Sequence, residues 1–289
     1  MRSLRVLLCL LLALGTAVVL GAPARGDTSM ASPDYYVALG DSLSVGYQPV
    51  HVDGNGNTVP AGDTGEGYAD DLYTTLHAKD SNLQLIKLGC SGETTATMID
   101  GGVCAQYPDA AHSQLAAAIA FLTAHKANVK YLSLDIGAND VDGCTPGGSI
   151  DTACLVAGVG TITKNLNTIL HGLWAADGGL PRSVGMAYYD PFLQYWNTGT
   201  QGKVVATASV GLLSAINLAE ATEYTLYGFK VADVFAAFKT LNFSGALLGR
   251  TPVNVQTICD LTYMCTLQNI HATPAGYQLI AKTFAGHMS

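Results

Sequence analysis

The feature that most constrains this 289-residue chain is a regular alternation of short β-rich runs with longer helical stretches. Expected strands cover residues 35–39, 83–88, 129–136, 183–188 and 229–234. Expected helices cover 68–79, 113–125, 152–176, 204–227 and 274–285. Neighbouring parallel strands need a long crossover, which a helix supplies, so this order implies an α/β fold with a parallel sheet covered on both faces. The near-continuous apolar run Tyr131-Leu132-Ser133-Leu134-Asp135-Ile136 fits a strand buried on both sides. No internal repeat or linker divides the chain. With 49% apolar and 12% charged residues it can bury a full core, which excludes a disordered chain.

The first residues stand apart from this pattern. Arg2 and Arg5 precede an uncharged apolar run, residues 6–20, followed by the small-residue site Ala22-Pro23-Ala24. That is the pattern of a signal peptide over residues 1–24, shorter than a spanning helix requires. The expected mature protein is one domain, residues 25–289, secreted, monomeric and not inserted in a membrane. Cleavage takes away two of 14 basic residues and none of 22 acidic ones, so the formal charge moves from -8 to -10. Such a surface offers nothing to a phosphate backbone, and nucleic acid is not an expected partner.

Cysteine usage agrees with export. Setting Cys9 aside leaves six, which fall into three close pairs: Cys90 with Cys104, Cys144 with Cys154, and Cys259 with Cys265. Short loop closures cost the least chain entropy, so sequential pairing is expected, each bridge stabilising by about 2 to 3 kcal/mol. No C-x-x-C knuckle points to zinc, and no cofactor or metal is expected.

In a parallel sheet, ligands bind at the carboxyl ends of the strands, so the residues just after each strand are read first. Ser42 follows the first strand, two residues after Gly40, where a sharp turn can expose its hydroxyl. Gly92 follows the second, and without a Cβ its N–H can approach a substrate oxygen closely. Asn139 follows the third and carries an amide donor. His271 precedes the last helix and can serve as a base. Together they supply what serine catalysis needs: nucleophile, base and oxyanion donors.

Four blocks containing these residues resemble those of the SGNH, or GDSL, hydrolases. They are Gly40-Asp41-Ser42-Leu43, Ser91-Gly92-Glu93-Thr94, Gly137-Ala138-Asn139-Asp140, and residues 269–277 around His271. The resemblance implies a three-layer α/β/α sandwich with a five-stranded, flavodoxin-like sheet. It also implies ester hydrolysis with Ser42 as nucleophile, His271 as base, and oxyanion donors from Ser42 N–H, Gly92 N–H and the Asn139 amide. The expected partner is a small-molecule or lipid ester. A polysaccharide O-acetyl esterase is the alternative within hydrolases. A catalytically silent envelope or glycan-binding protein is the alternative outside them.

One departure stands out. The family has Asp three positions before its histidine, whereas this chain has Gln268. The expected orienter of the imidazole is therefore the Gln268 side chain, a backbone carbonyl in residues 266–268, or Asp260. Asp41 is read as a structural residue of the turn. The segment Asp53-Gly54-Asn55-Gly56-Asn57, with Asp63 and Glu66 beyond, loosely matches a calcium loop, but Thr58 and Thr64 occupy the positions of the turn glycine and the bidentate acid. A polar loop beside the substrate entrance is expected there. The aromatics of residues 188–196 are expected in the core, with some lining a pocket.

Overall fold

The computed structural model describes residues 32–145, 149–178 and 181–288. The expected signal peptide lies outside the described residues. Five parallel strands form one sheet: β1 (Asp34–Gly40), β2 (Leu83–Lys87), β3 (Val129–Asp135), β4 (Arg182–Ala187) and β5 (Lys230–Asp233). Their order across the sheet is β2-β1-β3-β4-β5, so the chain reverses direction at β1, which lies between β2 and β3. That reversal opens a crevice at the carboxyl ends of β1 and β3, where a ligand can enter.

Five longer helices cover the sheet: α1 (Tyr68–His77), α2 (Gln114–His125), α3 (Thr152–Asp177), α4 (Thr200–Leu226) and α5 (Pro274–Met288). Alternate residues of β1 serve opposite faces, as the period of a strand requires. Tyr36 and Ala38 pack with α1 and α5 residues such as Leu72 and Phe284. Val37 and Leu39 pack with α2 and α3 residues such as Leu122, Leu166 and Leu170. α4 reaches both layers, Val210 joining the first and Ile216 and Tyr224 the second.

Observed elements fall within a few residues of the expected ones, the largest difference being α4, which starts four residues early at Thr200. Among the pieces not expected are a hairpin of two-residue strands, His51–Val52 with Thr58–Val59, and a helix at Val253–Leu261. Both lie in the long connections that leave the carboxyl ends of β1 and β5, where apolar periodicity is weakest. The three sequential disulfides are present, and each lies beside one loop at that end of the sheet.

Candidate active site

Ser42, Gly92 and Asn139 follow strand ends, and His271 precedes the last helix. β1 stops at Gly40, whose N–H donates to Gln114 Oε1 at 2.7 Å and whose carbonyl accepts from Gln114 Nε2 at 3.0 Å. Asp41 then caps a one-turn helix, Ser42–Val45, by accepting the Leu43 N–H at 2.9 Å. As the first helical residue, Ser42 has no intrahelical partner for its own N–H. The buried Ser42 hydroxyl lies 2.8 Å from Nε2 of His271, although 229 positions separate them in the chain.

His271 is held from several sides. Tyr263 N–H donates to its carbonyl at 3.0 Å, and Thr273 N–H to Leu261 O at 2.9 Å. The Tyr189 hydroxyl donates to the carbonyl of Ile270 at 2.6 Å, and the Tyr47 ring lies 4.4 Å from the imidazole. The orienter is none of the three expected groups. Asn269 Oδ1 stands 2.8 Å from His271 Nδ1 and also accepts the His271 backbone N–H at 3.1 Å. Gln268 adopts a left-handed conformation, φ +50°, and exposed Asp260 accepts from Gln256 Nε2 at 2.7 Å. A side chain two residues before a histidine reaches its Nδ1 through a tight turn, the reach that Asx side chains commonly have.

With a neutral amide at Nδ1, no carboxylate supports an imidazolium. Burial alone acts, and it lowers the His271 pKa from its ordinary value to about 4. The ring is a neutral base over most of the pH range.

The other two blocks flank this pair. The Cys90 N–H donates to Gly40 O at 3.0 Å, which ties the loop after β2 to the end of β1. Two residues on, Gly92 has φ +82°, a conformation L side chains rarely adopt. Ser91 donates its hydroxyl to Asp63, so the polar loop after β1 holds the same turn. Asn139 lines the cleft with Ser42 and His271, and its Nδ2 donates to Glu93 O at 2.8 Å. That bond uses one of two amide hydrogens.

Beneath Ser42 lies a buried acid pair. Asp41 N–H donates to Asp135, Tyr68 donates to Asp135 Oδ1 at 2.5 Å, and Tyr188 to Asp41 Oδ2 at 3.2 Å. Burial raises the pKa of both acids. Sequence reasoning misses Asp135, Gln114 and Asn269. Asp135 carries a visible signal, an acid ending an apolar strand.

From Ser42 and His271 runs a cleft partly open to solvent. Its walls are mostly apolar, including Val141, Leu155, Phe192, Leu212, Leu213 and Ile216. Of the aromatic run, Tyr188, Tyr189 and Phe192 line it. Ser209, another lining residue, donates its hydroxyl to buried Asp190 at 2.8 Å. No group of three or more His, Cys, Asp or Glu side chains able to hold a metal occurs among the described residues. Asp53 closes its own turn, accepting from Asn55 N–H at 2.9 Å and Asn57 N–H at 2.8 Å.

A family model, GDSL-like lipase/acylhydrolase, matches residues 36–284. The chain belongs to this family. Its GDSL block is therefore the turn at the end of β1, and family membership makes the protein a hydrolase of the lipase and acylhydrolase kind. No curated protein matches the chain in sequence. Among solved structures it is similar to an acetylxylan esterase from Geobacillus stearothermophilus, with 15% identity, TM-score 0.51, and 89% of this chain and 94% of that one covered. It is also similar to a GDSL-like protein from Parabacteroides merdae, with 14% identity, TM-score 0.51, and coverage of 89% and 96%. At these identities the likeness carries the SGNH hydrolase fold.

Proposed function

We propose that this GDSL-family protein is a secreted serine esterase or lipase that cleaves carboxylic esters of medium or long acyl chains. The observation that carries this reading is the 2.8 Å contact between Ser42 Oγ and His271 Nε2 at the mouth of an apolar cleft. Ser42 Oγ attacks the ester carbonyl while His271 Nε2 takes its proton. The charge that develops on the carbonyl oxygen is met by the N–H groups of Ser42 and Gly92 and by the Asn139 amide. His271 then returns the proton to the departing alkoxide, leaving the acyl group on Ser42. Water, deprotonated by His271, releases the acid and restores the serine. Asn269 accepts the Nδ1–H and so keeps the Nε2 lone pair facing Ser42. Residues 1–24 act as the leader and residues 25–289 as the mature domain, a reading supported by the three disulfides, which persist in oxidising compartments.

The apolar cleft supports this reading over an O-acetyl esterase. Each methylene buried in it contributes about 0.8 kcal/mol, so two give roughly tenfold in kcat/KM. With nitrophenyl esters from acetate to palmitate, kcat/KM is expected to be at least tenfold higher for octanoate than for acetate. Leu212→Trp, which fills the cleft, should move the preference toward acetate. Maximal kcat/KM on acetate in the parent protein would favour the acetyl esterase.

A further inference from the structure

Glu220 on α4 is completely buried, and neither carboxylate oxygen has a hydrogen-bond partner. A buried polar group in that state is costly, and native proteins keep few of them. Its place is specific. One helical turn earlier on α4, Ile216 lines the cleft. One turn later, the Tyr224 ring lies against Gly185 of β4, with its hydroxyl also unpartnered. Glu220 Oε1 sits so close to Gly137 that a Cβ there would collide with it. Gly137, with φ +125°, begins the one-turn helix Ala138–Val141 that carries Asn139. The carboxyl group thus packs directly against the backbone from which the Asn139 amide is aimed.

We propose that Glu220 is a positioning residue for the oxyanion site: its side chain fills the space under Gly137 and holds the Asn139 turn in place. The inference rests on the esterase reading above. The titratable groups around Glu220 favour the neutral form. Burial and the nearby Asp140 and Asp41 all raise its pKa well above the carboxylate range. Tyr188 from the end of β4 and Tyr224 from α4 are themselves kept neutral by burial. The α3 side chain against Gly137 is apolar Ile162. An anion at Glu220 would oppose the negative charge that develops on the substrate oxygen, so activity is expected to decline as rising pH ionises Glu220.

The test compares Glu220→Ala and Glu220→Gln with the parent on a soluble nitrophenyl ester, across pH and well below each Tm. Glu220→Ala should lose about tenfold or more in kcat with little change in KM, because an oxyanion donor acts mainly in the transition state. Glu220→Gln, neutral and of the same shape, should restore most of that kcat and remove the decline with rising pH. A purely structural role would lower Tm in both variants and leave kcat and the pH profile unchanged, which would overturn the proposal. If Glu220→Ala does not fold, an unchanged pH profile in Glu220→Gln overturns it as well. A parent protein inactive on every ester would instead overturn the esterase reading.

Discussion

His271→Ala is expected to lower kcat/KM for a soluble ester by about 10⁴- to 10⁶-fold, with Tm nearly unchanged. The size follows from the geometry: Nε2 is the group placed 2.8 Å from Ser42 Oγ, and an unactivated serine hydroxyl is a weak nucleophile. Ser42→Ala should cost about as much, and the double variant little more than either single one, because the two side chains act as a unit. Steady-state kinetics on the three proteins checks this. Additive losses would show that the residues work separately.

The second large effect concerns Asn269. Asn269→Leu removes the acceptor at Nδ1, so the ring can take the wrong tautomer, and kcat should fall by about 10³-fold. This is less than the roughly 10⁴ lost with a charged orienter, since a neutral amide contributes orientation without a counter-charge. Asn269→Asp should change the pH profile. In the parent, the imidazole takes up a proton only near pH 4, so activity persists on the acid side down to about that value. A carboxylate beside Nδ1 favours the imidazolium and raises the pKa, so the acid limb should move up by at least one pH unit. Gln268→Ala and Asp260→Asn should leave both kcat and the limb where they are. The pH dependence of kcat/KM decides among these.

Much of the architecture was legible because burial on two faces writes itself into the chain as apolar runs, and crossovers into amphipathic stretches. Ser42, Asn139 and His271 were legible for a related reason: each stands next to a strand end or helix start that periodicity locates. Asn269 was not, since choosing it over Gln268 depends on the turn taken by residues 268–271, including the left-handed backbone at Gln268. Gln114 was hidden, and Asp135, though visible as an acid ending an apolar strand, gave no sign of its partner. Both are polar residues inside elements whose apolar pattern set the assignment, and their partners, Asp41 and Gly40, are distant in the chain. Glu220 carries no signal of its own in the sequence; the packing of α4 is what places it under Gly137.

The most direct measurement is covalent: treat the folded protein with a fluorophosphonate and map the adduct by peptide mass spectrometry. The predicted result is one phosphonylated residue, Ser42, with labelling slowed by several orders of magnitude in His271→Ala. An unlabelled protein, or an adduct on another cleft hydroxyl such as Ser209, would contradict the account.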